Sequence, residues 1–137
     1  MICKSFKDKE KMRKAGRSAA TVLDRLCRAV KSGMNTLEID ELGGEIMKEL
    51  GVKSACKGYR SGNKIFPSYT CLSVNDEIVH GIGVEDRVLK DGDIISVDVC
   101  IREDGMIGDN CRTISVGKVS SDIERLLRVA EESMYEG

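Results

Sequence analysis

The sequence predicts an α+β fold in which helices pack on one face of an antiparallel sheet. Three observations carry this: two apolar stripes of helical period before Gly51, a middle rich in Val, Ile and Thr broken by Gly, Asn and Asp, and a third stripe at the end. From Asp8 to Lys31, the residues Met12, Ala15, Ala19, Val22, Leu23, Leu26 and Val30 recur at the three-and-four spacing of a helix with one buried side, and Gly33 stops it. Asn35 with Glu38 forms a capping box for a second helix, whose stripe Ile39, Leu42, Ile46, Met47 and Leu50 ends at Gly51. Beyond it, Tyr69 to Val74, Glu77 to Ile82, Ile94 to Ile101 and Met106 to Val116 read as strands, while Lys57 to Pro67 reads as an irregular surface loop. Ser121 with Glu124 caps a last helix with the stripe Ile123, Leu126, Leu127, Ala130 and Met134. No repeat or linker interrupts the 137 residues, which read as a single unit, 1–137.

Composition narrows the class of function. With 22 Lys+Arg against 23 Asp+Glu the net charge is −1, so no global excess of charge favours a nucleic-acid or membrane partner. The charge run on the first helix reads as a solvated face. No apolar run reaches the ~18 residues of a membrane span, and the basic start at Lys4 to Lys14 lacks a signal-peptide core. A cytoplasmic location follows as an expectation. Six cysteines, none in a C-x-x-C pair, argue against a zinc ribbon and read as free thiols that mostly serve packing.

Asp98 is the sharpest feature, because it interrupts the apolar run Ile94 to Ile101, where a carboxylate is costly unless it is paired or holds a cation. A hairpin turn at Arg102-Glu103-Asp104-Gly105, centred between 103 and 104, places Asp109 directly across from Asp98. A bulge at Gly105 would shift that register by one. Directly opposed, the two Cβ atoms lie about 4.5–5.5 Å apart, and like charges at that distance call for a divalent cation. A glycosidase acid and base, or a dyad sharing one proton, are other readings of such a pair. His80, the single histidine, stands before Gly81, which leaves its imidazole accessible to bind substrate or shuttle a proton.

Four ordered blocks, Asn75 to Ile82, Leu89 to Ile94, Val97 to Val99 and Asp104 to Asp109, resemble the methionine aminopeptidase family in order and spacing. The similarity continues upstream through Lys31 to Thr36 and Cys56 to Tyr59 and so covers nearly the whole chain. The resemblance implies the amino-terminal half of a pita-bread (creatinase/aminopeptidase-like) fold. It also implies a cytoplasmic metallo-exopeptidase that removes the initiator methionine from nascent peptides when the next residue is small. By position, Asp98 and Asp109 would be two of five protein ligands of a site for two divalent metal ions (Co, Mn, Fe or Zn), with Asp109 bridging. His80 would contact the substrate backbone, and Tyr59, Phe66 and Cys71 would line the methionine pocket. The ribosome is a possible partner under the same resemblance, and the full-length protein would be a monomer. Family members run to about twice this length, their further ligands being one histidine and two glutamates in the other half, so this chain is expected to be inactive alone. Departures from the pattern are Gly83 after H-G-I, Ser32, and the extra residues Ser61 to Lys64. The competing reading is a non-catalytic pita-bread module that binds peptides or partner proteins.

Overall fold

The computed structural model describes residues 3–137. Helix α1 (Phe6–Ala29) is held at its start by a capping box between Ser5 and Asp8, and α2 (Thr36–Glu49) by the box of Asn35 and Glu38. The first helix ends earlier than its stripe suggests: Val30 is already extended, and Gly33 makes the turn at φ +91°. Gly51, at φ +70°, follows the end of α2 as a C-terminal glycine should.

The sheet is built on one long hairpin, β5 (Ile94–Glu103) and β6 (Met106–Ser115). Along the other edge of β5 run β4 (Cys71–Val74), paired with residues 95–98, and β1 (Lys53–Ser54), paired with 101–102. All pairings are antiparallel. Alternation then sorts the side chains: Ile95, Val97, Val99 and Ile101 are fully buried and join Ala15, Ala19, Val22 and Leu26 of α1 and Ile39 and Ile46 of α2 in one core. The even-numbered residues of β5 point to the opposite face. Helix α1 approaches β6 closely at Gly108, where a Cβ would lie 2.2 Å from the Ala15 carbonyl oxygen.

Three elements differ from the sequence-based expectation. The segment Glu77 to Ile82 is not a strand. Asn75 and His80 take positive φ (55° and 60°), which breaks extended backbone, and Ile78 and Val79 are left exposed. Lys57 to Pro67 is not wholly irregular, since Arg60–Ser61 (β2) pairs with Lys64–Ile65 (β3) in a small hairpin. The last helix, α3 (Ser121–Glu136), is capped by Ser120, whose side chain accepts from the Ile123 amide, so Ser121 lies inside it. None of its residues is buried; Leu126 and Met134, expected in a buried stripe, are 60% and 65% exposed.

One buried carboxylate ties α2 to the sheet. Asp40 is 3% exposed and accepts from the Tyr69 amide (3.0 Å), the Thr70 amide (2.8 Å) and the Thr70 hydroxyl (2.8 Å). Asp40→Ala is expected to cost about 3 kcal/mol, because it strands buried donors that bonded to a charge. A urea midpoint equal to that of the parent would show that the carboxylate does not hold β4 in place.

Candidate metal and substrate site

The Asp104-Gly105 pair sets the geometry of the site. Both residues take positive φ (49° and 81°), the requirement of a two-residue type I′ turn, so the hairpin is centred between 104 and 105. Glu103 therefore pairs with Met106, Asp98 with Cys111, and Cys100 with Asp109. This corrects the direct opposition of Asp98 and Asp109: they are diagonal neighbours. A shift of two residues preserves the face, so both carboxylates still point away from the core, and diagonal partners remain within reach of one another. Lys14 of α1 anchors the turn with 2.9 Å ion pairs to Glu103 and Asp104.

The open face of the sheet carries a row Cys71, Asp98, Cys111 across β4, β5 and β6. The next row carries Cys100 and Asp109, and Cys56 is brought alongside by the hydrogen bond from the Ala55 amide to the Cys100 carbonyl (2.8 Å). Burial raises the Asp98 pKa, and the charge of Asp109 raises it further, with nearby His80 opposing. The neighbouring Cys56 thiol, and burial after it, push the Cys71 pKa far above the ordinary thiol range. Burial, followed by the Asp109 charge, pushes Cys100 up to about 12. Cys111 rises to about 11, again through burial first and the two carboxylates after it. Cys71, Cys100 and Cys111 are therefore neutral at physiological pH, whereas the neighbouring Cys71 thiol lowers the pKa of Cys56.

His80 is exposed, and the residue after it is fixed through both of its backbone groups: the Leu72 amide donates to the Gly81 carbonyl (2.9 Å), and the Gly81 amide donates to the Ser73 hydroxyl (3.2 Å). A Cβ at Gly81 would lie 2.1 Å from the Leu72 carbonyl oxygen, so only glycine permits this approach to β4. Gly83 has a reason of its own. A Cβ there would come 2.8 Å from that of Asp40, and its amide donates to Ser68 (3.0 Å), a bond that proline could not make. Tyr59 and Phe66 stand at the base of the small hairpin, joined by the bond from the Phe66 amide to the Tyr59 carbonyl (2.8 Å). Phe66 is half-buried, whereas Tyr59 is 65% exposed.

The structure thus groups Asp98, Asp109 and Cys71 on one face with His80 near Asp98, and leaves Tyr59 and Phe66 at the neighbouring hairpin. The sequence motifs do not point to Cys56, Cys100 or Cys111 as site residues. Cys100 and Cys111 each follow an aspartate by two positions, so the strand period alone puts them on the same face. Among the described residues, no group of three or more His, Cys, Asp or Glu converges as a metal cage. Asp98 and Asp109 make no ion pair with a basic side chain among those residues. Two hard oxygen donors without a counter-charge fit part of a divalent site and are too few for a whole one.

Comparison with known proteins finds relatives along the whole chain. The model of metallopeptidase family M24 matches residues 10–137. Methionine aminopeptidase 1 of Bacillus subtilis is 42% identical over 137 residues, all of this chain and 53% of that protein. Methionine aminopeptidase of Escherichia coli K12 is 41% identical over 133 residues, 96% of this chain and 49% of that one. The crystal structure of methionine aminopeptidase from Thermotoga maritima superposes with a TM-score of 0.90 at 37% identity, covering 99% of this chain and 53% of that chain. The fold is that of these pita-bread proteins, and the chain spans about half the length of the curated relatives it matches.

Proposed function

From the premise that the chain belongs to metallopeptidase family M24, we propose that it is the amino-terminal lobe, residues 1–137, of a methionyl aminopeptidase. The observation that carries this reading is the diagonal pair Asp98 and Asp109, set on the open sheet face with no basic partner among the described residues. In this reading both would be ligands of a site for two divalent ions, drawn from Co, Mn, Fe and Zn, with Asp109 serving both. Three further donors come from the other lobe, whether on the same polypeptide or on another. When bound, such ions make hydroxide available near neutral pH and polarise the scissile carbonyl.

The chain's own residues do the rest. An imidazole N–H of His80, exposed on a backbone fixed through Gly81, donates to the peptide backbone next to the scissile bond and orients it. Cys71, protonated and buried, meets the methionine thioether as a soft apolar surface with Phe66 and Tyr59 at the rim. The substrates in this proposal are nascent peptides with an N-terminal methionine, met in the cytoplasm and near the ribosome by a monomeric two-lobed protein.

The test is release of methionine from a Met-Ala-Ser peptide with added divalent metal. The chain alone is expected to release none, and the two-lobed protein carrying it to turn over. Release by the chain alone would overturn the half-site account. No release by either would favour the peptide-binding module.

A further inference from the structure

Cys56 and Cys71 are brought together by two segments that share one edge of β5. Ser54, at the end of β1, lies opposite Ile101, and Cys71, at the start of β4, lies opposite Asp98. Only residues 99 and 100 of that edge separate them. The Ala55 amide already bonds to the Cys100 carbonyl (2.8 Å), so Cys56 falls beside the start of β4. Each of the two thiols is the largest influence on the acidity of the other, as neighbours in contact are. Both backbones are also held. The Ser54 hydroxyl accepts from the Cys56 amide (3.1 Å) and the Lys57 amide (3.0 Å) and donates to the Tyr69 carbonyl (2.7 Å), which clamps the two segments to each other. Asp40 in turn accepts from the amides of Tyr69 and Thr70. The thiols differ in access: Cys71 is 5% exposed, whereas Cys56 is half-buried. Cys100 and Cys111 share the face, but they lie opposite Asp109 and Asp98 and not opposite another thiol.

A disulfide forms readily where two thiols are presented together by backbones that need not move and one of them is within reach of an oxidant. We propose that Cys56 and Cys71 form a reversible oxidation site, a dithiol that a peroxide converts to a disulfide and a dithiol reductant restores. Cys56 reacts first, because it is the accessible one. Its sulfur attacks a peroxide oxygen, and the S–O bond forms as the O–O bond breaks. With hydrogen peroxide, the leaving oxygen departs with the thiol proton as water, and Cys56 becomes a sulfenic acid. The Cys71 sulfur then attacks that of Cys56: the S–S bond forms as the S–O bond breaks, and hydroxide leaves with the Cys71 proton as a second water. Two electrons pass from the thiols to the peroxide. The new bond closes residues 57–70, the segment that carries Tyr59 and Phe66, into a loop tied at its base to β4. The site needs neither a metal nor peptidase activity.

The chain, at low concentration and with EDTA present, is treated with equimolar hydrogen peroxide, alkylated, digested with trypsin and mapped by mass spectrometry. The expected product is a linked pair of peptides, 54–57 with 65–87, together with a fall from six free thiols to four and recovery of all six with dithiothreitol. In Cys71→Ser, Cys56 is expected to stop at the sulfenic acid and to take up dimedone, whereas Cys56→Ser should leave Cys71 reduced. Absence of the linked pair in the parent chain would overturn the proposal. So would a link from 54–57 to 91–102, which would join Cys56 to Cys100 instead. Dimedone on Cys71 in Cys56→Ser would overturn the order of attack, and a link that dithiothreitol does not open would overturn its reversibility. Formation of the link at the same rate in urea-unfolded chain would show that the fold does not bring the two thiols together, and the site would be lost.

Discussion

Asp98→Asn and Asp109→Asn, each made in the two-lobed protein, are expected to lower kcat/KM for a Met-Ala-Ser peptide by at least about a hundredfold, a loss larger than second-sphere changes cause. An asparagine keeps the size of the side chain and removes the charge that binds a cation, so the fold persists while the site fails. The burial of Asp98 sharpens the expectation. Its carboxylate is disfavoured by desolvation and by Asp109, which raises its pKa, and a bound cation is what would offset both. A variant retaining more than about a tenth of the parent rate would remove that aspartate from the proposed ligand set, since a lost ligand costs more.

Gly108→Ala is expected to have a large effect on folding. Its methyl would stand 2.2 Å from the Ala15 carbonyl oxygen and 3.1 Å from the Ala19 Cβ, against helix backbone that cannot rotate aside. Helix α1 would have to lift from β6, at a cost of about 3 kcal/mol, the upper end for overpacking. Gly16, one residue beyond that contact on α1, is the control: nothing lies within 4 Å of a Cβ built there. Gly16→Ala should therefore stabilise by about 0.5–1 kcal/mol through helix propensity. Denaturant melts of the two variants should move in opposite directions. Equal shifts would show that helix propensity, not the close approach to β6, governs both positions.

Local signals read from the sequence hold where one residue pattern dictates one structure. Asn35 and Glu38 cap α2 as their spacing requires, and alternation along Ile94 to Ile101 separates the buried side chains from Asp98 and Cys100. The failures arise where a positive φ overrides propensity. Asp104 and Gly105 both adopt it, which moves the centre of the turn and turns a direct aspartate pair into a diagonal one. Asn75 and His80 adopt it, which keeps the β-prone run Glu77 to Ile82 out of the sheet. The apolar stripe of α3 was legible, but its burial depends on what packs against it, and periodicity carries no such information. The carboxylate face was visible as two unusual residues. Its flanking thiols Cys100 and Cys111 could be found only by counting in twos from each aspartate.

The central claim is that Asp98 and Asp109 hold metal while His80 holds substrate. Metal analysis of the two-lobed protein, purified as Asp98→Asn, Asp109→Asn and His80→Ala, tests it most directly. The account predicts that both aspartate variants lose most of their metal, whereas His80→Ala keeps the parent content and loses only rate. A metal-free His80→Ala protein, or aspartate variants that retain the full content, would contradict it.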